Sequence, residues 1–191
     1  MKRILVTGGS GFIGTNFINL LSKKKFNILN IDKLSKVSTA EKFKRIAFNK
    51  KYKFINNNLQ NINHIYKILC KFKPDIIINF AAESHVDRSI NNPLYFIKNN
   101  INASSNLFFA YSKFYKKKKI KLIHISTDEV YGSIDRGTFK EHDAYEPSSP
   151  YSASKGSTDL IAMSFNKTYS TNIKIINLTN NYGPYQHPEK F

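Results

Sequence analysis

Thr7-Gly8-Gly9-Ser10-Gly11-Phe12-Ile13-Gly14 follows directly on the apolar run Ile4-Leu5-Val6 and opens a stretch with helical spacing. Glycines at 9, 11 and 14 therefore sit between a strand and a helix, the context in which Gly-x-Gly-x-x-Gly carries meaning. Glycine permits the tight turn and lets main-chain N–H groups approach a pyrophosphate. The helix N-terminus adds partial positive charge. Asp32 stands 18 residues past Gly14, at the end of the next apolar run. A carboxylate there accepts hydrogen bonds from ribose hydroxyls and repels a 2′-phosphate, so NAD is expected over NADP. Lys33 follows it directly and carries the opposite charge.

Working outward, the pattern alternates. Residues 12 to about 24 read as a helix, with Phe12, Ile13, Phe17, Leu20 and Leu21 on one face. Strands are expected at 28–31, 53–55, 76–78, 120–125 and 173–176. Helices are expected over Ile62–Phe72 (stopped by Pro74), over 94–115 and over 151–169. Runs of β-branched residues without polar alternation indicate strands buried on both faces, as in a parallel sheet. Strands alternating with helices give an α/β, doubly wound, Rossmann-type architecture. Residues 132–150 contain Gly, Ser and Pro among polar residues and read as a loop.

The 191 residues suffice for one such domain, assigned to residues 1–191. The formal net charge is +17, from 30 basic and 13 acidic residues. That excess admits a polyanion partner, but the lysines are scattered at element ends, arginine is scarce and no nucleic-acid motif is present. No specific nucleic acid is expected, only salt-sensitive background binding. Cys70 is the single cysteine, so no disulfide framework exists, and it reads as a small core residue. No apolar run approaches a membrane span and no signal peptide is read at Met1-Lys2-Arg3, so a cytoplasmic, reducing setting is expected. No metal site is indicated.

Two further segments carry chemistry. Tyr151 and Lys155 are i and i+4 on an expected helix and share a face. A tyrosine titrates near pH 10. To serve as a base it must fall by about three units, roughly 4 kcal/mol, which a neighbouring cation can supply. Thr127-Asp128-Glu129 lies past the apolar strand at 120–125, at the carboxyl end where doubly wound folds place ligands. Two adjacent carboxylates can divide acid and base work once their environments differ.

With Ala81-Ala82-Glu83-Ser84-His85-Val86-Asp87-Arg88-Ser89 and Asn180-Asn181-Tyr182-Gly183-Pro184-Tyr185-Gln186, these motifs resemble the extended short-chain dehydrogenase/reductase family. Within it they are similar to the nucleotide-sugar 4,6-dehydratases, the branch that carries the Thr-Asp-Glu triplet. The resemblance implies a lyase that turns dTDP-glucose into dTDP-4-keto-6-deoxyglucose with NAD as cofactor. UDP-sugar dehydration or decarboxylation, and a silent NAD-binding remnant, stand as alternatives.

By the same resemblance Thr127, Asp128, Glu129, Tyr151 and Lys155 are catalytic. Gly8, Gly11, Phe12, Ile13, Gly14 and Asp32 would hold the cofactor, together with Asn58, Leu59, Ala81, Ala82, Tyr151 and Lys155. Ser84, His85, Thr127, Asn180 and Lys190 would meet the sugar nucleotide. The expected assembly is a homodimer through the two long helices.

The chain departs from the family pattern in three places. Asn57-Asn58-Leu59 replaces Gly-Asp-Ile, Ser35-Lys36-Val37-Ser38 replaces a Thr-Tyr-Ala-Gly run, and Asn99 replaces a threonine. The resemblance covers the N-terminal part of the family pattern. A smaller C-terminal substrate domain is therefore expected to be absent from this chain, leaving it able to bind NAD but poor in turnover.

Overall fold

The computed structural model describes residues 1–35 and 51–188. Six strands form one sheet: β1 (Arg3–Thr7), β2 (Asn27–Asp32), β3 (Tyr52–Asn56), β4 (Ile76–Asn79), β5 (Lys121–Thr127) and β6 (Ile173–Leu178). Their order is β3-β2-β1-β4-β5-β6, and every neighbouring pair is parallel. The chain runs outward from β1 to β3, then returns to start β4 on the other side of β1. That reversal opens a crevice at the carboxyl ends of β1 and β4, where a doubly wound sheet takes its ligand.

The continuous apolar strands divide their side chains between two layers. Ile4, Val6, Ile28 and Ile78 face α1 (Phe12–Ser22), packing on Ile18 and Leu21. Leu5, Leu29, Ile31, Ile77 and Leu122 face the opposite layer. That layer holds α2 (Ile62–Phe72), α5 (Ala103–Tyr115) and α6 (Pro150–Tyr169). Cys70 is half-buried against this second cluster.

The inward stripe of α1 differs from the expected one. Gly14, Thr15, Ile18 and Leu21 are buried, whereas Leu20 is 58% exposed. Small residues at 14 and 15 let the first turn press against the glycine turn, which rotates Leu20 outward. Phe12 and Ile13 then face the crevice rather than the core.

Local signals set the helix ends. Asn61 accepts from His64 N–H at 3.0 Å to start α2, and Lys73 closes it in a left-handed conformation just before Pro74. Ser149 and Ser152 form a reciprocal capping box at α6, with Pro150 in the first turn. This cap fixes where Tyr151 leaves the backbone.

The helix expected over 94–115 is divided. Short helices α3 (Val86–Asn91) and α4 (Pro93–Phe96) precede a π turn at Ile97–Asn102, after which α5 begins. No helix among the described residues is long and apolar enough to cross a membrane.

Candidate active site

The crevice is a cleft of about 600 Å³, within the range of roughly 300–1,000 Å³ typical of small-ligand sites. One wall is the glycine turn. Gly8 has φ +69°, and a Cβ on it would stand 2.5 Å from Ala81 N. A Cβ on Gly14 would stand 2.5 Å from Gly8 O. Gly9 does not line the cleft: its amide donates to Asn30 Oδ1 at 3.0 Å, and a Cβ there would strike Asn30 and Ile18. Gly11 is different, because a Cβ on it meets only Gly8 O, at 3.5 Å. Two of the motif's glycines therefore serve packing, while Gly11 leaves open space toward a ligand.

Asp32 closes β2 with its carboxylate buried and held by two main-chain donors. Ser10 N–H reaches Oδ2 and Leu34 N–H reaches Oδ1, both at 2.9 Å. Asn58 and Leu59 line the same end, and Ala81 and Ala82 line the floor beyond β4. Ser84, His85 and Asn180 line the cleft as well. Lys190 lies outside the described residues, as do Lys36, Val37 and Ser38.

Thr127 is the last residue of β5, two residues beyond the expected strand end, and caps a 3₁₀ turn at Asp128–Tyr131. Its hydroxyl accepts from Glu129 N–H at 3.3 Å. The turn sends Thr127 and Glu129 into the main cleft. Asp128 instead lines an adjoining recess of about 290 Å³ that also touches Glu129 and Asn180. Glu129 thus borders both spaces and Asp128 only the recess, where its Oδ1 accepts from Thr127 Oγ1 at 3.3 Å.

Tyr151 and Lys155 both line the cleft and both are buried. Burial drives the Tyr151 phenol well above its ordinary range, and the charge of Glu129 adds to this. A hydrogen bond with Thr127 opposes both. Lys155 donates from Nζ to Ile125 O at 2.7 Å. Burial lowers it to about 8, against the pull of the Asp159 carboxylate. Burial first, and the Glu129 charge second, therefore hold Tyr151 protonated, so that with Lys155 one helical turn away the phenol still lies above its ordinary range.

Beneath these residues is a polar layer the sequence did not disclose. Ser126 Oγ donates to Asp159 Oδ2 at 2.6 Å, and Tyr145 Oη donates to the same oxygen at 3.3 Å. Asp159 is fully buried; desolvation raises its carboxyl, while Lys155 and its hydrogen-bond donors oppose that. His124 Nε2 lies 3.5 Å from Asp159 Oδ1, an oxygen with no hydrogen-bond partner.

Burial, and then the Lys155 charge, hold His124 well below its usual value, so the ring is neutral. Asn79 fixes the tautomer. Its Oδ1 accepts from Thr7 Oγ1 at 2.6 Å and from Ala81 N–H at 3.2 Å, so its Nδ2 donates to His124 Nδ1 at 2.9 Å. The imidazole proton is then on Nε2, facing Thr158 Oγ1 at 3.1 Å. The available signals were polar residues interrupting apolar strands, at 79, 124 and 126, and an acid four residues past Lys155.

The sequence profile of the family described as GDP-mannose 4,6 dehydratase matches residues 5–191. The chain is 40% identical to a probable dTDP-glucose 4,6-dehydratase of Sinorhizobium fredii, over 98% of this chain and 56% of that protein. It is 39% identical to the dTDP-glucose 4,6-dehydratase of Haemophilus influenzae, over 100% of this chain and 59% of that protein. Among solved structures, the dTDP-glucose 4,6-dehydratase of Streptomyces venezuelae, crystallised with NAD bound, superposes with a TM-score of 0.91 at 36% identity. That match covers 98% of this chain and 58% of the other. The chain therefore spans a little over half the length of the relatives it matches.

Proposed function

The chain belongs to the family described as GDP-mannose 4,6 dehydratase, and from that premise we propose that its cleft serves the NAD-dependent 4,6-dehydration of a nucleotide-activated glucose, with dTDP-glucose as the substrate. One observation carries this reading. A single turn after β5 delivers a hydroxyl (Thr127) and a carboxylate (Glu129) into the cleft that also holds Tyr151 and Lys155, with a second carboxylate (Asp128) in the recess beside it.

The residues fit the cofactor. The cradle that a Cβ on Gly8 would fill, the open face of Gly11 and the Asp32 carboxylate match a dinucleotide's pyrophosphate and ribose. Phe12, Ile13, Ala81 and Ala82 offer apolar walls, and Lys155 offers a buried ammonium. Bound NAD supplies a reversible hydride acceptor and, when oxidised, a positive charge.

Each protein group then has a task at a stated atom. Tyr151 Oη accepts the proton of the sugar 4-hydroxyl, and Thr127 Oγ1 hydrogen-bonds the oxygen that becomes the 4-ketone. The ketone acidifies C5–H, and Glu129 takes that proton. Asp128 donates a proton to the 6-hydroxyl, which leaves as water. Glu129 returns a proton to C5 when C6 is reduced. Glu129 faces the cleft that holds Tyr151 while Asp128 borders only the recess beside it, which supports giving the two carboxylates different tasks.

The proposed assembly is a homodimer in a cytoplasmic setting. Its apolar contact would use Leu94 and Ile97 with Leu160 and Met163, all exposed on the helical segments named for it. Mass spectrometry of dTDP-glucose incubated with NAD⁺ and an equimolar amount of the chain, over a time long enough for the slow turnover expected of it, tests the reaction. The expected product is lighter by one water and absent with Glu129→Gln. Release of a 4-epimer of unchanged mass would contradict the proposal.

A further inference from the structure

Lys33 and Glu83 lie on opposite sides of β1, one just after β2 and the other just after β4, and they meet at the cleft rim. Lys33 Nζ is 2.6 Å from Glu83 Oε1. It also donates to Asn99 Oδ1 at 2.9 Å and to Tyr95 Oη at 3.3 Å. Tyr95 Oη in turn donates to Glu83 Oε1 at 3.1 Å. An ammonium has three N–H bonds, and three acceptors stand around this one.

Glu83 is itself held in place. Asn100 Oδ1 accepts from Glu83 N–H at 2.8 Å, and Asn100 Nδ2 donates to Glu83 O at 2.9 Å. Asn100 is buried and tied to Ser154 Oγ on α6, also at 2.9 Å. Asn99 and Asn100 are successive residues of the π turn, a feature often found at functional sites. One of them holds the lysine and the other fixes the backbone of its acidic partner.

We propose that Glu83 is a specificity-determining residue of the cofactor cleft: by engaging Lys33 it withholds from a ribose 2′-phosphate the cation that stands next to Asp32. Selection of NAD over NADP then has two parts, the repulsive carboxylate of Asp32 and the sequestered ammonium of Lys33. In such folds a nearby arginine accommodates a 2′-phosphate, and here the cation adjacent to Asp32 is a lysine already committed. This inference rests on the reading of the cleft as a dinucleotide site.

Titration calorimetry with NAD⁺ and NADP⁺ tests it on the wild-type chain, Asp32→Asn, Glu83→Gln and the double variant. Glutamine keeps the size of Glu83 and leaves the Asn100 clamp on its main chain. Wild type and Asp32→Asn should still favour NAD⁺. Adding Glu83→Gln to Asp32→Asn should move the ratio of the two dissociation constants toward NADP⁺ by about tenfold, the worth of one charge-assisted hydrogen bond. Lys33→Met in that background should reverse the gain. A ratio unmoved by Glu83→Gln, or NAD⁺ affinity lost with no gain for NADP⁺, overturns the proposal while leaving the dinucleotide site intact. Failure of the wild type to bind either dinucleotide overturns the site reading itself, and this inference with it.

Discussion

Ser126 Oγ donates to Asp159 Oδ2 across 2.6 Å, joining the strand that floors the cleft to the helix that carries Tyr151 and Lys155. Asp159 is the buried counter-charge of Lys155, one helical turn away, and it also receives Tyr145 from the loop that follows Gly132. Removing one partner of a buried charge pair leaves the other desolvated and alone, at a cost of about 3–5 kcal/mol.

Asp159→Ala is therefore expected to lower unfolding stability by about 3 kcal/mol in urea titrations. Asp159→Asn, which can still hydrogen-bond Ser126 and Tyr145, should lose less. Equal losses would show that charge alone, and not the hydrogen-bond set, holds this layer.

His124 gives the protein an acid-sensitive core. Its folded value lies well below the unfolded 6.5, so between the two the unfolded chain binds more protons. Stability is thus fully present above about pH 6.5 and is lost as pH falls below it, by up to about 1.4 kcal/mol per pH unit. Asp159, whose carboxyl is raised, contributes with the opposite sign, and Lys155, lowered to about 8, lies above this window. Both are common to wild type and His124→Asn. Thermal melts between pH 7 and 5 should fall more steeply for wild type than for His124→Asn, and parallel slopes would count against a neutral buried ring.

The glycine turn separates folding from binding. Gly8→Ala forces a left-handed residue with a Cβ against Ala81, costing about 1–2 kcal/mol for the backbone alone. It should lower the denaturation midpoint. Gly11→Ala meets only ordinary contact at 3.5 Å and should melt like wild type, yet bind NAD⁺ at least about tenfold more weakly because its methyl occupies the approach to the pyrophosphate. Undiminished binding by Gly11→Ala would remove the pyrophosphate from this turn.

Much of the framework was legible in the sequence because it rests on local signals. The run Ile76-Ile77-Ile78 reads as a strand covered on both sides, and Pro74 stops α2 at the end where it lies. What escaped depends on contacts between distant residues. The π turn at Ile97–Asn102 has ordinary helical composition, and its Asn100 bonds the main chain of Glu83, 17 residues away in sequence. His124 and Asp159 share no motif; β5 and α6 bring them together. Leu20 was placed inward by periodicity, but the small residues at the start of α1 turned a different stripe to the sheet. Among the expected site residues, Asp128 was separable from Glu129 only once the turn at Asp128–Tyr131 was seen.

The proposed dehydration through Glu129 has one most direct test. If Glu129 is the base at C5 of dTDP-glucose, the proton it takes in D₂O with NAD⁺ present exchanges with solvent before one is returned. A long incubation with an equimolar amount of the wild-type chain should give a product that has lost one water and carries deuterium at C5, and Glu129→Gln should give none. Water loss without deuterium at C5, or the same product from Glu129→Gln, would contradict the role assigned to this carboxylate and to the turn that places it in the cleft.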